Sequence, residues 1–283
     1  MLCTDTDEAS FFERVLPPTL ADSASLDLPN RSVFASASRN AVGWQDEFGT
    51  DESLRLCVRI VVDGAFPFWN TRGGKPPKNL VGTVISNRPA PPAQLAFRRS
   101  LYQSMLDGGG IEKVRRPAVT CAIFEVEKGD TFRPIYDARP VNEYLADRPF
   151  SLPKWSDILA STTASCFGCV LDLKHGFFQF ALRKDVRRFF CFEVDGVTYQ
   201  MNVTPQGVKQ SPFWFTTGMK GPLKRLREHA DALFVAGFYD DVLLLSQTEE
   251  GLVRLVTYAR SLSQPAQVST LPLSAVLLPW LDR

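Results

Sequence analysis

One apolar segment of the chain, residues 233–245, carries two adjacent carboxylates near its centre, Asp240 and Asp241. The runs on either side have the composition of short buried strands, which places the acidic pair in the tight turn that joins them. Two like charges packed against a core repel each other and lose hydration, so they need a compensating cation. Carboxylate oxygens suit a hard divalent ion such as Mg²⁺. A lone Asp-Asp pair is more often a solvated hairpin turn, so a metal site requires a third carboxylate from another strand.

Asp172 is the candidate for that third carboxylate. It lies in the short apolar run 169–173, which is typical of a buried strand. A strand-end aspartate opposite an Asp-Asp hairpin can supply ligands for two metal ions in an in-line phosphoryl transfer. Spacing along the chain leaves open whether the two segments are neighbours. A single strand-end aspartate is more often a turn residue than a ligand.

Composition limits the class of protein. The chain has 283 residues, 45% of them hydrophobic, which is enough for a sizeable core in one or two domains. The formal net charge is +1, so any affinity for phosphate must come from local cationic clusters. Each such cluster is by default a solvated face. The clusters are Arg98-Arg99, Arg115-Arg116, Arg183-Lys184 with Arg187-Arg188, and Lys220 with Lys224, Arg225 and Arg227.

The sequence predicts an intracellular, reduced environment, without separating nucleus from cytoplasm, and no membrane association. The chain begins with an acidic stretch that does not resemble a secretory leader, and no apolar run approaches membrane-spanning length. The pair Cys166 and Cys169 has the spacing of a zinc or redox motif, but no second pair accompanies it. Buried free thiols are therefore the favoured interpretation.

The chain divides into three predicted parts. Residues 1–91 form an N-terminal extension that is partly irregular, with one strand over residues 54–62 and an aromatic anchor at residues 66–69. Residues 92–262 alternate helices and hairpins, which is the pattern of an α+β fold. Residues 263–283 form a divergent tail.

The middle part contains clear start and stop signals. Apolar residues recur at helical spacing from Phe97 to Met105, and glycines 108–110 end that helix. Two hairpins are predicted, residues 119–126 with 131–136, and residues 189–194 with 197–203 around a type I′ turn at Asp195-Gly196.

Two further helices are predicted in the same part. Ser211 is expected to be the N-cap of the first, which runs to about His229 with an interruption at Gly221-Pro222. Thr248 caps the second, which runs to about Ser261.

Four segments, over roughly residues 92–261, together resemble the reverse transcriptases of retroviruses and LTR-type or related retrotransposons. The resemblance implies an RNA-directed DNA polymerase with the fingers and palm of a right-hand fold. Any one segment is a weak match, but the four occur in the family's order. They are residues 127–142 (the fingers hairpin), residues 151–154 followed by 171–178 (the first palm motif), residues 204–212 (Pro-Gln-Gly to Ser-Pro), and residues 238–241 (the Tyr-x-Asp-Asp turn).

The resemblance also implies roles for individual residues. Asp172, Asp240 and Asp241 are the implied catalytic residues, and with the Leu173 carbonyl they are the implied ligands of two Mg²⁺ ions, with Mn²⁺ as an alternative. Lys128 and Arg133 would hold the triphosphate, and Phe177 would exclude a ribose 2′-hydroxyl. The complete set implied to bind nucleotide is Lys128, Arg133, His175, Gly176, Phe177 and Gln206. Taken singly, Lys128 and Arg133 also fit an exposed hairpin with incidental charges. Phe177 also fits a core aromatic ring, and Gln206 a plain loop before a helix.

The implied partners are an RNA or DNA template with its primer and deoxynucleoside triphosphates; the oligomeric state is not predicted. Phe238 replaces the tyrosine that is common in the family, and His175 is unusual at its position. Residues 263–283 show neither a primer-gripping hairpin nor a helical thumb, so the thumb is predicted to be missing. Two alternatives stay open: a catalytically inactive fragment that only binds nucleic acid, and another two-metal enzyme such as a nuclease.

Overall fold

A computed structural model describes residues 33–39, 41–129, 131–162, 166–173, 175–262 and 275–277. The described residues mix helices with two β-sheets, which confirms the predicted α+β class. The α-helices are α1 (Ser36–Arg39), α2 (Ala41–Phe48), α3 (Arg55–Val62), α4 (Pro92–Asp107), α5 (Arg139–Asn142), α6 (Trp155–Ser161), α7 (Ser211–Gly218), α8 (Lys220–Arg227) and α9 (Glu249–Leu262). The strands are β1 (Thr83–Val84), β2 (Ile111–Lys113), β3 (Val119–Lys128), β4 (Thr131–Asp137), β5 (Phe167–Asp172), β6 (Cys191–Val194), β7 (Val197–Met201), β8 (Phe234–Phe238), β9 (Asp241–Ser246) and β10 (Ala275–Leu277).

The smaller sheet has the strand order β10-β5-β9-β8, and all its neighbours are antiparallel. Side chains alternate between its two faces. Val235, Leu244 and Leu171 belong to the main core, on the side where α8 and α9 pack. Ala236 and Leu243 point to the other face, where Ile158 of α6 covers them. The smaller sheet is therefore buried on both faces along most of its length.

The larger sheet has the order β1-β3-β6-β7-β2, with β4 paired to β3. Both predicted hairpins are confirmed, as β3–β4 and β6–β7. Asp195 and Gly196 have φ angles of 49° and 76°, the two left-handed conformations that a type I′ turn requires.

The helix predicted from Phe97 to Met105 is confirmed as α4, and Gly108 follows it at the C-cap. The predicted N-cap of α7 was wrong by one position: Gln210 precedes the helix, and Ser211 is its first residue. The Ser211 hydroxyl donates to the Pro205 carbonyl at 2.6 Å, so it closes the preceding loop instead of capping the helix. The interruption falls at Met219 rather than at Gly221-Pro222.

The cap of the last predicted helix is confirmed. The Thr248 hydroxyl accepts a hydrogen bond from the Gly251 amide at 3.0 Å, and α9 follows directly.

The strand predicted over residues 54–62 was wrong, because residues 55–62 form α3. Valines and an isoleucine suggested a strand, but Leu54, Cys57, Val58 and Val61 are buried at helical spacing. Tertiary packing of this apolar face outweighs the β propensity of the individual residues.

The predicted aromatic anchor at residues 66–69 does pack onto the rest of the molecule. Trp69 is buried against Phe189, with ring centroids 5.2 Å apart. The Gln210 side chain accepts from the Phe68 amide and donates to the Phe68 carbonyl, both at 2.9 Å. The indole of Trp214 donates to the Phe66 carbonyl at 3.1 Å. These partly buried hydrogen bonds hold the segment against α7.

One hydrophobic core joins these parts. It contains Phe34 and Ile60 from the N-terminal part together with Val119 of the larger sheet and Leu244 of the smaller one. The division at residues 91 and 262 stays a prediction. Most of the tail lies outside the described residues, but β10 pairs with the outer edge of β5.

None of the described helices is long and apolar enough to cross a membrane.

The role of α3 in the core can be tested with Ile60→Ala. Ile60 has no exposed surface, so the substitution should lower the free energy of unfolding by about 2–5 kcal/mol through lost burial and a residual cavity. The measurement is a urea or thermal denaturation curve. Arg55→Ala, on the exposed side of the same helix, should change the value by less than about 0.5 kcal/mol. Equal effects of the two substitutions would show that α3 does not belong to the core.

Candidate active site

The acidic pair lies where β8 turns into β9. Phe238 and Asp241 are opposite each other at the end of the hairpin, and Tyr239 and Asp240 form the two-residue turn between them. Tyr239 has a φ of 53°, a left-handed conformation that is costly for a tyrosine. The predicted tight turn is therefore present, although Asp241 belongs to the first position of β9 rather than to the turn itself.

Asp172 is the direct cross-strand partner of Asp241 in the antiparallel pair β5–β9. One residue further on, the Leu173 amide donates to the Asp240 carbonyl at 2.7 Å. Since residues directly opposite in a sheet share a face, Asp172 and Asp241 lie side by side. The structure thus brings together the three acids that the sequence could only suggest as neighbours.

The electrostatics of this cluster show that placing three carboxylates close together is unfavourable. Partial burial raises the pKa of Asp241 above its ordinary value, and the negative charges of Asp240 and then Asp172 raise it further. Both causes disfavour a charged Asp241. A cation bound near the three carboxylates would relieve this repulsion.

The donor set consists of hard oxygen ligands, which fit Mg²⁺ better than a softer metal. Within the described residues, no group of three or more His, Cys, Asp or Glu side chains is already arranged around a common metal position. Cys166 and Cys169 likewise belong to no such group among the described residues. Cys169 is buried, and burial raises the pKa of its thiol to about 12, while Cys166 is half-buried.

The turn after β5 packs closely against the acids. His175 has a φ of 52°, and its ring stacks on Phe178 at 6.3 Å between centroids. A Cβ on Gly176 would lie 2.8 Å from the Phe215 ring and 3.5 Å from the Cβ of Asp240. Only glycine allows this approach without displacing Phe215. Phe177 is half-buried, with its ring 5.3 Å from that of Phe215.

The loop that contains Gln206 is tied to this turn and to the end of β4. The Thr204 hydroxyl donates to the Phe177 carbonyl. Gly207 has a φ of 89°, and a Cβ there would lie 2.5 Å from the Tyr136 carbonyl oxygen. The Asn142 side chain donates to the Gly207 carbonyl at 2.9 Å. Gln206 itself is exposed.

Sequence reasoning missed two features beside this loop. It noted Asn142 only as the end of the fingers segment, whereas the structure shows its amide holding Gly207. It also missed a cavity of about 460 Å³ between residues 85–88, the β3–β4 hairpin and Gly207. Arg88 comes to this cavity from the N-terminal part, to which the sequence assigned no chemistry. No local pattern predicts the Asn142–Gly207 hydrogen bond or the cavity, because both involve segments far apart along the chain.

Lys128 and Arg133 lie on the β3–β4 hairpin, apart from the acids. Both are exposed. The pairs Val126–Arg133 and Lys128–Thr131 are directly opposite in the ladder, so the two cations share one face of the hairpin. Neither side chain makes an ion pair with another residue of the described part of the chain.

Most of the other basic clusters form ion pairs within the molecule. Several of their cations pair with acids of the same chain, which leaves less free charge for phosphate than the sequence suggests. The pairs are Arg98–Glu125, Arg99–Asp195, Arg183–Asp185, Arg187–Glu112, Lys224–Asp51 and Arg225–Glu47.

Comparison with a solved structure identifies the fold. The chain is similar to the protease–reverse transcriptase of prototype foamy virus, with a TM-score of 0.53 and 21% identity, over 63% of this chain and 24% of that one. The likeness confirms the fold class predicted from the sequence. The predicted absence of a thumb concerns residues that lie mostly outside the described part of the chain, and it stays a prediction.

The family model described as "Reverse transcriptase (RNA-dependent DNA polymerase)" matches residues 126–273. The chain therefore belongs to this family, as the sequence motifs suggested.

Curated relatives support the retroelement origin. The chain is 29% identical over 172 residues to the Gag-Pro-Pol polyprotein of human T-cell leukemia virus 2, covering 58% of this chain and 12% of that protein. It is 31% identical over 177 residues to the Gag-Pol polyprotein of feline leukemia virus, covering 59% and 10%. It is 25% identical over 172 residues to the transposon Tf2-3 polyprotein of Schizosaccharomyces pombe, covering 61% and 13%. The matched region thus spans only about a tenth of each polyprotein.

The repulsion among the acids predicts a pH-dependent effect of Asp241→Asn. Since the pKa of Asp241 is raised in the folded protein, its ionisation destabilises the fold above that pKa. Because Asp241 is exposed, solvent screens this repulsion, so metal-free Asp241→Asn should be more stable than the wild type at pH 7 by only about 0.2–0.5 kcal/mol. The difference should vanish below the ordinary value of 3.8.

Denaturation curves at pH 7 and below pH 3.8 in the presence of a chelator measure this difference. The exposed Glu143→Gln is the control and should show no comparable gain. A less stable Asp241→Asn at pH 7 would contradict the proposed repulsion.

Proposed function

We propose that the chain is the fingers and palm of an RNA-directed DNA polymerase of a retroelement, which adds deoxynucleotides to the 3′-hydroxyl of a primer. The observation that carries the proposal is the register that places Asp172 opposite Asp241, with Asp240 held next to them by the Leu173 amide. Family membership supports the reaction class, and the three acids offer a specific place for it.

In this proposal, Asp172, Asp240 and Asp241 are the catalytic residues, and with the Leu173 carbonyl they hold two Mg²⁺ ions. When bound, the ions would lower the pKa of the primer hydroxyl and stabilise the leaving pyrophosphate oxygen. The three side chains contribute negative charge at one end of the smaller sheet, where bound ions would offset their repulsion. Hard carboxylate and carbonyl oxygens and the raised pKa of Asp241 support this assignment.

The nucleotide would be held between the two sheets. Lys128 and Arg133 are proposed to bind the triphosphate, because they are exposed cations on one face of the hairpin. His175 and Gly176 form the turn under the sugar. Phe177 is proposed to stand against the 2′ position, and its contact with Phe215 would limit its retreat. Gln206 would face the nucleotide and the template base from its exposed loop.

The alternative function, nucleic-acid binding without catalysis, has less support. It relies on the basic clusters, and many of their cations pair with acids of the same chain. Salt-sensitive RNA binding without incorporation would favour this alternative.

Asp240→Asn tests the site directly. Loss of this carboxylate should reduce Mg²⁺-dependent extension of a primed homopolymer RNA by at least about 100-fold, the scale of losing a preorganised charge in an active site. Mg²⁺ should also raise the melting temperature of the wild type but not that of the variant, because a ligand stabilises the state that binds it. Asp107→Asn, which removes an exposed acid at the end of α4, is the control. Full activity in Asp240→Asn would refute the assignment.

Phe177→Val tests sugar selection. The smaller side chain removes bulk beside the proposed 2′ position, so incorporation of ribonucleotides relative to deoxynucleotides should rise at least roughly tenfold, the scale of one pocket contact. Single-nucleotide extension with matched ribo- and deoxynucleotides measures the ratio. Phe178→Val, which changes the next aromatic residue in the same turn, is the matched control. An unchanged ratio in Phe177→Val would exclude Phe177 from this role.

A further inference from the structure

The outer part of the β3–β4 hairpin has little support from the rest of its sheet. β1 and β6 pair with β3 only near its beginning, at residues 119–121. From Ala122 outward, the ladder consists of β3 and β4 alone. A two-stranded ribbon by itself is marginally stable in water. The end that carries Lys128 and Arg133 therefore needs another element to hold it in place.

Helix α4 supplies this support through contacts with one face of the hairpin. Lys128 and Arg133 lie on one face of the hairpin, so Glu125 and Phe132 lie on the other. The Arg98 guanidinium of α4 donates to both oxygens of Glu125, at 2.8 and 2.7 Å. Phe97, the preceding residue in α4, packs on Phe132 with ring centroids 5.6 Å apart. The helix thus contacts the hairpin on the face opposite the two cations.

The Arg98–Glu125 pair is buried, with side-chain exposures of 6% and 0%. The hydrogen bonds that Arg98 donates to Glu125 are the main cause that raises the pKa of Arg98. A buried ion pair adds little net stability compared with apolar residues of similar size, but its two parallel hydrogen bonds restrict how the two groups can be placed relative to each other. Glu125 lies one ladder step from Arg133 and three residues before Lys128. The ion pair therefore constrains where the two cations point.

We propose that Arg98 and Glu125 are positioning residues for nucleotide binding. Their buried fork sets the angle of the outer hairpin, so that Lys128 and Arg133 meet the triphosphate together. The inference rests on the proposed function, because it assigns the hairpin to the nucleotide. Neither residue contacts substrate in this role.

The neighbouring pair Arg99–Asp195 provides a matched control. It comes from the next residue of the same helix and has the same two-point geometry, at 2.8 and 3.2 Å. Its side chains are 63% and 54% exposed, and it joins α4 to the turn of the other hairpin, β6–β7. An exposed pair of this kind contributes little to stability. Removing it should leave the outer β3–β4 hairpin unchanged.

The test compares three proteins: the wild type, the double variant Arg98→Met/Glu125→Leu and the control Arg99→Ala/Asp195→Asn. The apolar double variant avoids an unpaired buried charge, so the fold should survive. Three quantities are measured: the melting temperature, hydrogen exchange of the hairpin amides at residues 126–133, and steady-state primer extension at varied deoxynucleotide concentration. Glu125→Gln is added as the conservative single variant, which keeps the shape but weakens the fork.

In the double variant, the amides of the outer hairpin should exchange at least about tenfold faster. The apparent KM for deoxynucleotide should rise roughly 10–100-fold, the range seen when a side chain that orients a metal ligand is removed, while kcat changes less than about threefold. Glu125→Gln leaves the Arg98 charge buried without its counter-charge, so it should raise KM in the same direction and lower the melting temperature more than the double variant does. The control should match the wild type in all measurements. A melting temperature close to that of the wild type shows that these changes do not come from global unfolding.

The inference fails if the double variant keeps the wild-type exchange rates and the wild-type KM. It also fails if the control shows the same changes as the double variant, or if kcat and KM change only in proportion to the loss of stability. Failure of the proposed function has a different result. In that case the wild type incorporates no nucleotide, whereas the exchange of residues 126–133 still reports whether the buried fork orders the hairpin.

Discussion

The register of β5 against β9 is the constraint on which the active-site region depends. It sets Asp172 opposite Asp241, and the hydrogen bond from the Leu173 amide to the Asp240 carbonyl closes the same end of the sheet. A slip by one residue would turn Asp172 to the opposite face, because side chains alternate along a strand. Leu171 and Leu244 point into the core from these same strands and oppose such a slip. Apolar packing therefore determines the position of charged groups.

The cluster of acids is unfavourable on its own, and the surrounding structure offsets its cost. Partial burial and then repulsion from Asp240 and Asp172 raise the pKa of Asp241, and Tyr239 is held in a left-handed conformation in the turn. The strands beneath are buried on both faces, and Gly176 lets the following turn pack against Phe215 and Asp240. Local strain and repulsion of this kind persist only where the rest of the fold determines the geometry, and they are characteristic of functional sites.

Polar side chains connect the site to segments distant in the chain. Asn142 holds the loop of Gly207, Gln210 holds Phe68 of the N-terminal part, and Arg98 holds Glu125 of the hairpin. Gln210 and Arg98 are buried and replace lost hydration with directional hydrogen bonds, which allow fewer arrangements than apolar contacts do. The proposed nucleotide site is therefore assembled from separate elements, each held by its own polar contact.

Local sequence patterns are enough to predict the class of fold, most of the hairpins and helices, and the oxygen-rich donor set. These depend on local signals: the strand and helix periods, the Asp195-Gly196 turn and the Asp-Asp pair. The strand expected over residues 54–62 was wrong because its valines favour a strand while the packing surface of the core selects a helix. Three features depend on long-range contacts in the folded chain: Asp172 adjoins Asp241, Arg98 is buried on Glu125, and many basic residues form ion pairs within the molecule. Such pairings join residues remote in sequence, and they follow from strand register and core packing, which no local pattern specifies.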